Sequence, residues 1–146
     1  MRRLTLSVLL MSALGCSYPL PKGYVQAPTP GSAKYRAVSA EGSALMLSTE
    51  SNPDNGDLAY WEKAIQTRLT EIGGYKLDNQ REIANDHNLK GSEMTFSINQ
   101  EGIDYVYMVS LFIRGKTIYI FEAAGWKDTF SQDIPEIQKS IASWPL

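Results

Sequence analysis

Cysteine and histidine are almost missing from this chain, with one of each in 146 residues. A single cysteine excludes an internal disulfide and a cysteine metal cluster, and a single histidine excludes a multi-histidine zinc site. An excess of charge of one sign is also missing. Lys+Arg 14 against Asp+Glu 16 gives a net charge of −2, which offers no basic field to hold nucleic acid. No Gly-x-Ser-x-Gly turn occurs, and no glycine-rich loop opens a helix to cradle phosphate. What is present is globular: 43% hydrophobic and 21% charged, enough for one core and too apolar for disorder. The length argues for a single domain.

The N-terminus is organised as a leader. Met1-Arg2-Arg3 is basic, and residues 4–14 are uncharged and mostly apolar. Eleven such residues are too few to span about 30 Å of hydrocarbon as a helix, and match a signal-peptide core. Ala13-Leu14-Gly15-Cys16 follows, and this resembles a bacterial lipoprotein signal, with small residues ahead of a cysteine that is acylated. The resemblance implies removal of residues 1–15 and a diacylglycerol thioether plus an N-acyl chain on Cys16. In enteric-type sorting the same resemblance, with Ser17 rather than Asp at the next position, implies the outer membrane, on its periplasmic side. Loss of Arg2 and Arg3 with the leader takes the net charge from −2 to −4. Residues 17–34 carry Pro19, Pro21, Pro28 and Pro30 with Gly23 and Gly31 and no apolar period. Residues 16–34 are therefore expected to be an acylated, extended tether, reaching roughly 55 Å when stiff. Residues 35–146 are expected to be one domain.

In that domain, residues 35–40 and 43–49 read as strands joined at Glu41-Gly42. Asp57 caps a helix whose apolar stripe is Leu58, Trp61, Ile65, Leu69 and Ile72, ended by Gly73-Gly74. Tyr75, Leu77 and Ile83 share a parity in the next strand. Met94, Phe96 and Ile98 alternate with Glu93, Thr95, Ser97 and Asn99 in another. Residues 103–113 are apolar on both parities, so both faces of that strand must be covered. Residues 117–123 return beside it. Asp133 and Pro135 are expected to start a last helix, striped by Ile134, Ile137, Ile141 and Trp144. The order ββαββββα, with two helices for a two-sided sheet, predicts an α/β (α+β) three-layer α–β–α sandwich around a mainly antiparallel sheet.

This pattern resembles the PsbP/Mog/DcrB superfamily from about Tyr35 to Trp144. The similarity is carried by Tyr105-Val106-Tyr107, by residues 118–123 (IYIFEA), and by Phe130, Ile134, Ile137, Ile141 and Ser143-Trp144 in the closing helix. It implies a binding role rather than catalysis, as in extrinsic photosystem subunits, a GTPase-binding factor, secretion chaperones and envelope lipoproteins. It carries over no site residue.

The residues that could carry chemistry agree with that. His87 lies in a polar loop between Asp86 and Asn88, and Asp54-Asn55-Gly56-Asp57 reads as a turn and helix cap rather than a calcium loop. Glu122 stands in an otherwise apolar strand, where it is expected near a strand end, reaching water or a lysine. No enzyme activity, catalytic residue, cofactor or metal is expected. The leading expectation is a lipid-anchored envelope adaptor, of an immunity or secretion-associated kind, that docks a protein through Trp126 and Phe130. A carrier or sensor of a small apolar ligand and an envelope polymer hydrolase are the alternatives.

Overall fold

The expected strands all form, and their alternation sets the architecture. In the computed structural model, which describes residues 18–146, a seven-stranded sheet has the order β1-β2-β3-β7-β6-β5-β4. Its strands are β1 (Tyr24–Gln26), β2 (Tyr35–Ser39), β3 (Ala44–Ser51), β4 (Lys76–Ala84), β5 (Lys90–Gln100), β6 (Ile103–Arg114) and β7 (Thr117–Trp126). Every neighbouring pair is antiparallel. Short turns join β2 to β3 and each strand of the β4–β7 meander to the next. The last strand, β7, closes the sheet by pairing with β3 from Ala44↔Ala124 to Ser51↔Thr117.

Helix α1 (Leu58–Thr67) connects β3 to β4, and helix α2 (Lys127–Ala142) follows β7. They cover opposite faces. Val106, Met108 and Phe112 of β6 pack with Phe121, Phe130, Ile137 and Ile141 in one core cluster. Val109 and Leu111 pack with Met94, Phe96 and Leu69 in the other. This is the three-layer α–β–α sandwich, and the doubly apolar central strand is its cause. A fully buried Phe or Leu in such a core contributes about 1.5–3 kcal/mol relative to an exposed one.

Four details depart from the sequence-based expectation. Helix α1 is capped by Asp57, whose side chain accepts from the Tyr60 backbone N–H at 2.8 Å, as expected. Its continuation, Arg68–Ile72, is π-helical. The wider turn shifts Ile72 off the apolar stripe, and it stands 83% exposed. In β4 a bulge between Leu77 and Asn79 shifts the register by one residue. Leu77 therefore packs on the α1 side and Ile83 on the α2 side, although the two share a parity.

Helix α2 begins at Lys127, not at Asp133. Asp128 lies in its first turn, where a carboxylate complements the helix dipole. Pro135 sits inside the helix, and Asp133 accepts a hydrogen bond from the Tyr24 hydroxyl at 3.0 Å instead of capping. The fourth departure concerns the tether. Residues 18–26 are packed on the domain: Tyr24–Gln26 form an edge strand against β2, and Pro21 and Tyr24 are buried. Residues 1–17, with Cys16 and the expected leader among them, lie outside the described residues.

Candidate functional site

Trp126 is the last residue of β7 and the residue before α2, with extended backbone at φ −65, ψ 135. The chain turns there from strand to helix, so the indole is held outside both cores and is 53% exposed. The register places Trp126 opposite Tyr105, two residues from Ile103 at the start of β6. Ile103 is itself 47% exposed. Together with Gly102, Asp104, Lys127 and Thr129 they line a shallow groove of ≈ 540 Å³. The result is an apolar centre with a rim of mixed charge, the composition that protein-binding patches favour.

Phe130, expected to act beside Trp126, is fully buried. The early start of α2 puts it one turn into the helix, on the stripe that continues through Ile137 and Ile141 into the core. A Cβ added at Gly125 would lie 3.0 Å from the Phe130 Cβ, so strand and ring are in close contact. The Phe130 ring is packed in the core and is not available to a partner.

A second feature lies between α1 and the sheet. None of the α1 residues is fully buried, and beside the helix a groove of ≈ 440 Å³ opens over β3 and β7. Its apolar lining includes Trp61, Ile65, Val109 and Ile120, and its polar lining Arg68 and Glu122. Glu122 is mid-strand, opposite Met46 and Val109, not near an end. Its side-chain partner is the Tyr107 hydroxyl, which donates to the carboxylate, rather than a lysine. Burial, and next the Glu122 carboxylate, push the Tyr107 phenol well above its usual range, so the hydroxyl keeps its proton. Glu50 lines the same groove, but it pairs with Ile118 while Glu122 pairs with Met46. That places their backbones about 13 Å apart along the strands.

The third feature went unnoticed in the sequence. Glu93 falls on the polar parity of β5, yet it is 3% exposed because α2 lies over that face. Its carboxylate accepts from Arg81 Nε at 2.8 Å, Gln138 Nε2 at 2.8 Å and Ser110 Oγ at 3.4 Å. One side chain thus ties β4, β5, β6 and α2 together. A charge so buried is tolerated only when its oxygens are satisfied in this way.

The remaining candidates serve turns. Asn85 Oδ1 accepts from the backbone N–H groups of His87 and Leu89, which shapes the loop carrying the histidine. Asn52 Oδ1 accepts from the Gly56 N–H at 2.8 Å and from Trp61 Nε1 at 3.2 Å, organising residues 52–57 ahead of α1. Among the described residues, no group of three or more His, Cys, Asp or Glu is placed to hold a metal ion. No helix among them is long and apolar enough to cross a membrane.

No family model matches the chain, and no curated protein matches it. Its fold is nevertheless shared with solved structures. LpqN of Mycobacterium tuberculosis, involved in cell envelope biogenesis, matches at a TM-score of 0.61 with 12% identity, covering 83% of this chain and 76% of that one. The cyanobacterial PsbP of Synechocystis sp. PCC 6803 matches at 0.59 with 11% identity, covering 84% and 81%. The Ran-binding protein Mog1p of Saccharomyces cerevisiae matches at 0.55 with 14% identity, covering 84% and 80%. At these identities the likeness shows the fold alone.

Proposed function

We propose that this chain is a non-catalytic binding domain of the bacterial cell envelope, anchored by acyl chains on Cys16 at the periplasmic side of the outer membrane. Its protein partner docks at the end of the sheet that carries Trp126 and Ile103. The observation that carries the docking site is the placement of Trp126. Phe112, Phe121 and Phe130 are fully buried, whereas this larger ring is 53% exposed beside a second exposed apolar side chain. Large amphipathic rings in such positions dominate the energetics of protein interfaces. The anchor rests on the leader and the position of the single cysteine. Relatives in fold include a Ran-binding protein and a protein of envelope biogenesis, which is consistent with a binding role. An immunity or secretion-associated adaptor is the form that a small anchored domain of this kind suits.

The test is site-directed photocrosslinking in intact envelopes, with the crosslinker at Asp104. One recurrent protein adduct is expected, reduced at least tenfold by Trp126→Ala and unchanged by an exposed control such as Glu82→Ala. Adducts that are indifferent to Trp126→Ala contradict the docking site.

A second reading has its own observation. The groove beside α1 joins an apolar lining to a carboxylate–phenol pair, which suits a small apolar ligand with a hydrogen-bonding head group. Native mass spectrometry of protein purified from its own envelope then shows a retained ligand, lost in Ile65→Trp. Protein that carries no added mass removes this reading.

A further inference from the structure

The first described residues bear directly on how the domain sits at a membrane. Tyr18 stacks on Trp144, just past the end of α2, at 4.8 Å and 15° between rings, and meets Tyr35 edge-on at 5.5 Å. The Pro19 carbonyl accepts two hydrogen bonds, from the Tyr35 hydroxyl at 3.2 Å and from Ser140 Oγ at 3.0 Å. The chain then runs back along α2 to Tyr24, whose hydroxyl reaches Asp133, and enters β1. These contacts together strap residues 18–26 to the domain, where a free tether was expected.

The strap fixes a direction. Only two peptide units join Cys16 to Tyr18, which keeps any acyl chain on Cys16 tied close to the end of the domain where Tyr18 stacks on Trp144. Trp126 immediately precedes α2, and the stack follows its end. The helix has 16 residues, which separates the two tryptophans by about 24 Å along its axis. Tyr18 and Leu20 are 45% and 46% exposed at the Cys16 end. Lys22 and Lys139 nearby are balanced by Asp86 and Glu136, so apolar side chains rather than net charge dominate the contact face.

We propose that the domain rests directly against the lipid surface through the end bearing Tyr18 and Leu20, with the Trp126 end turned away from the bilayer. The inference depends on Cys16 carrying acyl chains. A tyrosine on an apolar stem beside an anchored cysteine sits at head-group level, where aromatic rings are favoured. The short strap then holds the docking end outward, instead of letting the domain tumble on a long linker.

The experiment uses the full acylated chain in phosphatidylcholine vesicles containing nitroxide-labelled lipid. Acylation consumes the Cys16 thiol, so Lys22→Cys and Lys127→Cys each supply one free thiol for a fluorophore. The Lys22 probe is expected to be quenched at least fivefold more than the Lys127 probe, with little change on adding salt. Adding Tyr18→Ala and Leu20→Ser to each labelled variant cuts that contrast at least threefold while the protein stays vesicle-bound. Equal quenching of the two probes in floated, acylated protein overturns the orientation and leaves the anchor standing. A contrast that survives the double substitution overturns the role of these side chains. Protein that does not float and alkylates at Cys16 overturns the anchor, and the orientation with it.

Discussion

Truncation of Glu93 is the sharpest test of how the sandwich is held together at its β4 side. Glu93→Ala removes the acceptor for Arg81, Gln138 and Ser110 at once. The Glu93 side chain is 4% exposed but that of Arg81 is 46% exposed, so water recovers much of the arginine's loss. Gln138, half-buried on α2, and Ser110, fully buried on β6, recover less. A hydrogen bond to a charged group is worth about 1.5–3 kcal/mol, and deleting a buried partner falls at the upper end. Discounted for the exposed arginine, the expected loss is about 2–3 kcal/mol. With a urea slope of about 1–3 kcal/mol/M the midpoint falls by roughly 0.7–3 M at unchanged slope. Glu93→Gln, which keeps the shape and one acceptor, loses about half as much. Arg81→Ala loses less than Glu93→Ala, because its partner keeps the two other donors. A Glu93→Ala protein within about 0.5 kcal/mol of the parent, the range of ordinary surface changes, would refute the clip.

Phe130→Ala and Trp126→Ala separate core from surface. The first costs about 3–5 kcal/mol in urea unfolding and the second stays within about 0.5 kcal/mol; the reverse order would overturn the assignment of the two rings. Above pH 10 stability should fall with rising pH. Burial raises the phenols of Tyr107 and Tyr24 above their unfolded value, so the unfolded chain releases these protons first. Their contribution is intact below about pH 10 and is lost as pH climbs toward the folded values, so the urea midpoint between pH 8 and 11 should drop less in Tyr107→Phe than in the parent. Tyr18→Ala removes an aromatic stack worth about 0.5–1.5 kcal/mol beyond its buried area. Trypsin should then cut after Lys22 several-fold faster, whereas an unchanged rate would mean the strap does not depend on the stack.

Legibility tracked how local the determining interaction was. The central strand β6 was readable because apolar residues at both parities leave a sheet no choice but two covers. The Asp57 cap and the Glu41-Gly42 turn were readable because a side chain or a positive φ, +87 at Gly42, settles them locally. Ile72 and Ile83 were misplaced because a π-helical turn and a β-bulge each insert one residue, and periodicity assumes none is inserted. The start of α2 was misread at Asp133, whose side chain is used by a tyrosine 109 positions away in sequence. Glu93 escaped notice for a related reason. Alternation told which face it shared, but not that α2 would lie across that face.

The docked strap was hidden by the same kind of distance. Prolines gave residues 17–34 the composition of a linker, and nothing local shows that the Pro19 carbonyl meets two hydroxyls from β2 and α2. Trp126 ends β7 directly before α2 instead of lying in a loop, and it is exposed, whereas Phe130, four residues on, lies in the core. One helical turn was enough to separate a surface ring from a buried one.

The account stands on the fate of one thiol. Intact-mass analysis of the mature protein extracted from its own membranes is expected to find a chain that starts at Cys16 and carries the mass of a diacylglyceryl group and an added acyl chain. Material that still begins at Met1, or a Cys16 thiol that reacts with an alkylating reagent, would contradict it.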